Sequence, residues 1–317
     1  MIPLDEIRRA AETVRGTAVR TPLVPLRAPE VETEIWLKLE NLQPIGSFKL
    51  RGAYYAITTA PPEELRRGVL TASAGNMGQG VAWAARELDI PCTVVVPENA
   101  PQTKLDAMER LGATIVKVEH PRWWQAMVES RFEDVPGVFI HPVENERMMA
   151  GNGTIGLELL EDLPDVDAVL VPFGGGGLSV GIASAVKTLR PEVRVFAVEP
   201  ANGAPLTASL AAGEMVEIED YRPSFVDGSG APRLLPKMWG LAREALDGAC
   251  AVPVDDAAAG VRILAERARV VAEGAGALAT AAALAGKPRR GAKVVAIVSG
   301  GNIDSAKLAT ILAGGVP

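Results

Sequence analysis

Two stretches of the chain carry residue types that could do chemistry together. The first, "ENLQPIGSFKLRGAYY", sets Lys49 in an apolar neighbourhood. Desolvation there lowers an amine's pKa, and a neighbouring cationic group lowers it further, which is the state a Schiff-base lysine needs. Taken alone, the run reads more readily as a surface lysine snorkelling at a helix start. The second stretch shifts that balance. "VLVPFGGGGLSVGIASAVKTLR" reads as a strand, then Gly174, Gly175, Gly176 and Gly177, then a helix. Such a turn presents a fan of free backbone N–H groups and a helix N-terminus to one anion. It lacks the Gly-Lys-Ser/Thr ending of a nucleoside triphosphate loop, so a single terminal phosphate fits it better. Ordering four glycines in a row costs backbone entropy that a plain flexible turn does not explain.

Other motifs are weaker. Ser73-Ala74-Gly75-Asn76 offers a hydroxyl, a side-chain amide and successive N–H groups, a nest suited to an amino-acid carboxylate. An N-cap and tight turn opening a helix from Gln79 explains the same residues equally well. "GNGTIG" at Gly151 to Gly156 matches the dinucleotide pattern letter by letter, but Glu146 to Ala150 before it look like helix or loop, whereas the fingerprint must follow a strand. Gly75 to Gly80 is spaced for an anion at most. His120 and His141 have no acidic partner at triad or metal spacing and read as structural. Trp123 and Trp124, being adjacent, cannot share a helix face, so one is expected in the core and the other partly exposed.

These loops need elements to hold them. Short β-rich runs alternate with segments of helical period: Cys92 to Val96, Lys104 to Leu111, Thr114 to Val118; then Val169 to Pro172, Leu178 to Leu189, Val193 to Val198; and Val294 to Val298 near the end. That rhythm predicts α/β architecture with parallel βαβ units. In such sheets a ligand sits beyond the carboxyl ends of the strands. The loops available there are Gly46 to Lys49, Ser73 to Asn76, Gly174 to Gly177, Asp227-Gly228 and Ser299 to Asn302.

Bulk properties exclude other classes. A net charge of −7 with dispersed basic residues gives no footprint for nucleic acid or anionic lipid. The one basic cluster, Lys287-Pro288-Arg289-Arg290 with Lys293, sits beside Gly286 and Gly291 and reads as a solvated turn. Cys92 and Cys250 stand alone without ligand spacing, which suits a reducing, cytoplasmic compartment and argues against disulfides or zinc. No export signal or membrane-length apolar run is expected.

Taken together, the motifs resemble the fold-type II pyridoxal-phosphate enzymes, in particular the threonine and serine dehydratases (ammonia-lyases), with serine racemase and hydroxyaspartate dehydratase as near relatives. The resemblance rests on "ENLQPIGSFKLRGAY", "TASAGNMGQGVA", "PENAPQTKLDAMERLGATIV", "AGNGTIGLELLE", "VPFGGGGLSVGIA", "VEP", "FVDG", "EGAGA" and "VSGGN", in the family's order along nearly the whole chain. It implies a two-lobed α/β fold like that of tryptophan synthase β, with open, mostly parallel sheets. Residues 1–70 and 145–317 would form a large cofactor-binding lobe, and 71–144 a small mobile lobe that closes over substrate. The implied cofactor is pyridoxal 5′-phosphate, the implied partner a small amino-acid substrate, and the implied assembly a homodimer.

Carried onto this chain, the resemblance makes Lys49 the Schiff-base lysine, Phe48 a ring-packing neighbour and Asn76 the partner of the cofactor's phenolic oxygen. Gly174, Gly175, Gly176, Gly177 and Leu178 would hold the phosphate, and Ser299 would face the pyridine nitrogen. The backbone around Gly228 and the side chain of Glu273 would line the ring. Ser73, Ala74, Gly75, Asn76 and Met77 would receive the substrate carboxylate. Three positions depart from the family: Met77 stands where it usually has His, Val143 where it has Phe or Asn, and Pro205 where relatives with a cation site place an acidic residue six after Glu199. No metal is expected.

The implied reaction is β-elimination of a small β-hydroxy amino acid such as L-threonine or L-serine, giving a 2-oxo acid and ammonia, with Lys49 moving the Cα proton and the cofactor's phosphate protonating the departing hydroxyl. The alternatives are hydroxyaspartate dehydratase and an amino-acid racemase on the same fold. Racemization needs an acid on the face of Cα opposite Lys49, where relatives that racemize carry Ser and this chain has Ala74. β-Replacement would need a thiol nucleophile and a different loop sequence, and an amino-acid-binding regulatory module would leave Lys49 idle. No regulatory domain is expected after residue 317.

Overall fold

Alternation of buried apolar runs with amphipathic ones produces two mostly parallel sheets. The computed structural model describes residues 1–289 and 291–317, so Arg290 of the basic turn lies outside the described residues. From the start run α1 (Leu4–Val14), β1 (Leu23–Leu26), β2 (Glu34–Lys38), α2 (Lys49–Thr58) and the short α3 (Pro62–Leu65). Then come β3 (Val69–Ala72), α4 (Asn76–Glu87), β4 (Cys92–Pro97), α5 (Gln102–Arg110), β5 (Thr114–Val118), α6 (His120–Glu129) and β6 (Val138–Phe139). They are followed by α7 (Glu146–Asp162), β7 (Ala168–Pro172), α8 (Gly177–Leu189), β8 (Arg194–Pro200), α9 (Pro205–Ala212) and α10 (Pro236–Ala245). Last are β9 (Gly248–Val252), α11 (Val254–Ile263), α12 (Gly274–Leu284), β10 (Lys293–Ile297) and α13 (Ser305–Leu312).

The larger sheet has the order β1-β2-β10-β7-β8-β9 and is parallel except for β1, which runs antiparallel to β2. The smaller has the order β5-β4-β3-β6 and is parallel throughout. Every residue of β3 and β7 is buried, as expected of parallel strands covered on both faces. One face of the larger sheet packs on α11 and α12, through residues such as Val261, Ala277 and Leu278. The other packs on α7 and α8, through Ile155, Leu159, Ile182 and Val186. The helix α12 is almost wholly Ala and Gly and buried nearly all round, which lets it lie close under the sheet.

The "GNGTIG" motif lies inside α7, where its glycines serve packing. A Cβ on Gly151 would stand 2.6 Å from the carbonyl oxygen of Arg51 and 2.7 Å from Cα of Gly52. A Cβ on Gly153 would stand 2.8 Å from the carbonyl oxygen of Gly181, and one on Gly156 2.9 Å from Cβ of Ala185. Hence α2, α7 and α8 touch backbone to backbone, and α7 sets the separation between the helix that begins at Lys49 and the helix that begins at the glycine run.

One expectation is corrected. Trp123 and Trp124 are both half-buried: Trp123 packs on the edge of the core cluster around Ala126 and Phe132, and Trp124 is covered from outside α6. Trp123 packs 5.4 Å from the His120 ring, and Trp124 receives the Arg233 guanidinium 5.9 Å from its centroid. The cysteines are unpaired; burial pushes Cys92 up to about 12 and, as the main cause, Cys250 up to about 11. Among the described residues no helix is long and apolar enough to cross a membrane.

Candidate active site

Three neighbouring strands of the larger sheet end at one cleft. After β2 a 3-10 turn at Glu40–Leu42 leads to Lys49, the first residue of α2. After β10 comes Ser299, and after β7 comes the glycine run that opens α8. Facing them, β3 of the smaller sheet leads through Ser73, Ala74 and Gly75 into α4, which starts at Asn76 rather than at Gln79. The cleft has a volume of about 400 Å³ and is lined by Phe48, Lys49, Ser73 to Met77, Gly175 to Leu178, Gly228, Glu273 and Ser299. Gly174 stands just behind, close enough that a Cβ would lie 2.9 Å from the carbonyl oxygen of Gly228. Carboxyl-end clefts of this kind are where α/β sheets bind small molecules.

Lys49 Nζ donates to the carbonyl oxygen of Pro142 at 3.0 Å and lies 5.2 Å from the Phe48 ring centroid. Loss of water lowers its pKa to about 8, with the Glu273 carboxylate acting weakly the other way. The segment before it is stitched to the end of β10. Phe48 N donates to Ser299 O at 3.1 Å, Gly301 N donates to Gly46 O at 2.8 Å, and Ser47 bridges Gly300.

The glycine run forms a cradle with no room for side chains. Gly176 has φ +95, and a Cβ there would stand 2.9 Å from the Phe173 ring and 3.0 Å from Cε of Met238. A Cβ on Gly175 would run into the side chain of Val143. The first intrahelical donor of α8 is Val180 N, bonded to Gly176 O at 2.9 Å, so the N–H groups of Gly176 to Ser179 have no acceptor in the helix. Bare amides at a helix N-terminus, cleared of side chains, suit a phosphate monoester.

A polar chain crosses the cleft. Asn302 Nδ2 donates to Asn76 Oδ1 at 2.8 Å, and Asn76 Nδ2 donates to Glu273 Oε1 at 2.7 Å. Burial, reinforced by the nearby Asp227 charge, raises the Glu273 carboxyl to about 7, although Asn76 and Lys104 pull it down. Lys104 of α5 pairs with Asp227 at 2.7 Å, joining the smaller sheet's layer to the loop before Gly228. Ser73 Oγ accepts from Gly75 N at 3.2 Å. The Met77 side chain is buried in the apolar cluster formed with Leu50, Val81 and Val94, and the residue also lines the cleft.

The histidines differ in exposure. His120 is exposed, whereas His141 is buried and its Nδ1 accepts from Val143 N at 3.0 Å and Glu144 N at 2.8 Å. Burial first, and the Lys49 charge after it, hold His141 down near 4, so it fixes as a neutral ring the turn that carries Pro142. Glu199 is committed to α9: its carboxylate accepts from Leu206 N at 2.9 Å and from Thr207 N and Oγ1 at 2.7 Å. Among the described residues no group of three or more His, Cys, Asp or Glu is placed to hold a metal ion. Sequence reasoning assigns no site role to Pro142, Lys104, Trp123 or Met127, and it offers Asp227 and Asn302 only as members of candidate loops, although all six line or brace the cleft. For Asn302 the signal was the last letter of "VSGGN"; for Pro142 there was none, since its backbone acts.

Residues 14–300 match the family described as pyridoxal-phosphate dependent enzyme. The chain is 42% identical over 308 residues to an L-threonine ammonia-lyase of Thermotoga maritima, covering 96% of this chain and 76% of that protein. It is 37% identical over 316 residues to the catabolic L-threonine dehydratase TdcB of Escherichia coli K12, covering 98% and 96%. The solved structure of serine racemase from Dictyostelium discoideum superposes with a TM-score of 0.87 at 34% identity, covering 96% of this chain and 99% of that one.

Proposed function

Since the chain belongs to the family of pyridoxal-phosphate dependent enzymes, we propose that it catalyses β-elimination of a small β-hydroxy amino acid such as L-threonine or L-serine, releasing a 2-oxo acid and ammonia. One observation carries this reading: a lysine held near pKa 8, a side-chain-free amide cradle and a polar Asn76–Glu273 pair border the same cleft. The dehydratase and ammonia-lyase relatives support it.

In this reading the amides of Gly174 to Leu178 would hold the cofactor's phosphate, Phe48, the Gly228 backbone and Glu273 would line its ring, Ser299 would serve the ring nitrogen, and Asn76 would serve the phenolic oxygen. When bound, pyridoxal phosphate supplies the electron sink that makes the Cα proton removable. The chain supplies the rest. Lys49 would anchor the cofactor and, as a free amine, would take the Cα proton; burial lowers its pKa to about 8, which makes the neutral form far more abundant than in an ordinary lysine. Ser73 Oγ and the first-turn N–H groups of α4 hold the substrate carboxylate. Residues 71–144 act as a small lobe that closes over the cleft and excludes water. The Ala74 methyl offers no proton on the opposite face, which favours elimination over racemization. A homodimer is proposed on the family resemblance, and a cytoplasmic setting on the two unpaired cysteines.

The test is 2-oxo acid release from a panel of β-hydroxy amino acids by wild type and Lys49→Ala. Wild type is expected to turn over threonine or serine, and the variant to fold but lose elimination and the borohydride-sensitive yellow colour. Near-wild-type turnover by Lys49→Ala would refute the assignment.

A further inference from the structure

The residues directly behind Lys49 are charged, although they are among the most deeply buried in the protein. Lys38 and Glu40 are 0% exposed and Arg51 is 1% exposed. Arg51 grips Glu40 as a fork, with Nε to Oε2 at 2.8 Å and Nη2 to Oε1 at 2.9 Å. Its other edge meets Glu158 of α7, with Nη1 to Oε1 at 2.6 Å and Nη2 to Oε2 at 3.0 Å. Lys38 Nζ completes the group, donating to Glu158 Oε2 at 2.6 Å and to Thr21 O at 2.8 Å. Two cations face two carboxylates, and Thr21 Oγ1, Thr154 Oγ1, Gln43 Nε2 and Val19 O satisfy the remaining donors and acceptors.

Filling a core this way is expensive. Desolvating each ion costs several kcal/mol, and apolar residues of equal volume often stabilise a fold as well or better. What a fork of paired hydrogen bonds gives and an apolar contact does not is a fixed distance and a fixed angle. The two ends it fixes are informative. Glu40 and Arg51 bracket the segment "ENLQPIGSFKLR", and Lys49 lies inside that bracket two residues from Arg51. At about 100° per residue, positions two apart point to nearly opposite sides of a helix, so anchoring Arg51 behind α2 leaves Lys49 aimed at the cleft. The front of the same segment is tied to the end of β10 through Phe48 N, Gly46 O and Ile45 O.

We infer that Arg51, locked by Glu40, Glu158 and Lys38, is a positioning residue that holds the first turn of α2 so that the Lys49 amine returns to one place after each release from the cofactor. This rests on the reading of Lys49 given above. It separates the network's role from bulk stability, because a geometric device fails when the fork is lost even if charge is kept. Glu40 itself stays ionised: burial alone would raise it, but the adjacent Arg51 guanidinium holds it below the usual carboxylate range.

The test compares Arg51→Lys, which keeps the charge and loses the fork, with Glu158→Gln at the more accessible rim of the network. Arg190→Gln, which breaks an exposed pair with Glu192 away from the network, is the control. Holoenzyme is measured for kcat, KM, melting temperature and the pH at which the cofactor's visible band titrates. A displacement of a fraction of an ångström predicts a kcat loss of about tenfold in Arg51→Lys, with KM changed by less than about threefold and the band's midpoint shifted. Glu158→Gln is expected to move the same readouts in the same direction by less, and Arg190→Gln to move none. Should Arg51→Lys fail to fold, Glu158→Gln decides alone. Wild-type kcat and an unmoved titration in the folded variants, whatever the melting temperature, would overturn the positioning role. The reading of Lys49 is judged separately, since only its failure leaves Lys49→Ala active.

Discussion

Replacing Gly151 by alanine isolates geometry from chemistry, because Gly151 touches neither the cleft nor any charged group. Its new methyl would meet Arg51 O at 2.6 Å and Gly52 Cα at 2.7 Å, against the 3.4 Å at which ordinary contact begins. Both are backbone atoms, so no side chain can swing aside, and α2 must retreat from α7 by roughly 0.8 Å. Overpacking of this sort costs about 1 to 3 kcal/mol, offset by the roughly 1 kcal/mol that alanine gains over glycine inside a helix. Net stability should therefore fall by about 0 to 2 kcal/mol, while a displacement approaching 1 Å in the helix carrying Lys49 should lower kcat by about 10- to 100-fold. Calorimetric unfolding and steady-state 2-oxo acid release measure the two effects. Gly240→Ala is the reference: Gly240 lies in α10, is exposed, and has nothing within 4 Å of the added Cβ, so it should gain about 1 kcal/mol and keep full activity. If Gly151→Ala behaved like Gly240→Ala in both assays, α7 would not set the position of Lys49.

Reloading of the cofactor-free protein with pyridoxal phosphate should speed up as pH rises through about 8, where Lys49 loses its proton, instead of near the ordinary 10.5; a midpoint near 10.5 in stopped-flow traces would contradict the buried amine. The same shift makes the apoprotein gain stability from Lys49 as pH rises from about 8 to 10.5, because the unfolded chain holds that proton more tightly. Glu273 works oppositely, its contribution being complete below 4.5 and lost as pH rises through about 7. Ser299→Asp should lower elimination sharply and let a long-wavelength band build up with substrate, since a carboxylate stabilises a protonated ring and a hydroxyl does not, whereas Ser299→Cys should be better tolerated; unchanged spectra in the Asp variant would remove Ser299 from the ring. Wild type should form pyruvate from L-serine far faster than D-serine, and Ala74→Ser should narrow that gap; equal rates of the two products in wild type would sink the argument from Ala74.

Much of the fold was readable because parallel strands write themselves as short apolar runs, and those around Cys92, Val169 and Val294 coincide with β4, β7 and β10. The glycine cradle was readable for a similar reason: a local run of residues makes a local backbone feature. What escaped was set by partners far apart in sequence. Asn302 meets Asn76 across 226 positions and Lys104 meets Asp227 across 123, and neither spacing leaves a periodic trace. The tryptophan pair misled because helix geometry says which side a ring points to, not whether a guanidinium such as Arg233 will come to cover it. The glycines of "GNGTIG" were rightly separated from dinucleotide binding, yet their packing role needed the positions of Gly52 and Gly181.

The last strand of the chain is not at an edge of its sheet but in the middle, between β2 and β7. A polypeptide that ends at β9 lacks the strand that stands between β2, which leads to Lys49, and β7, which leads to the glycine cradle. Only when residues 293–302 arrive do Ser299 and Gly300 pair with Phe48 and Ser47 and bring the lysine and the cradle into register. Capture of the cofactor is therefore expected to await β10. Ribosome-stalled chains ending before residue 293 are expected to remain colourless in pyridoxal phosphate, sparing the cell a half-built enzyme that sequesters a reactive aldehyde.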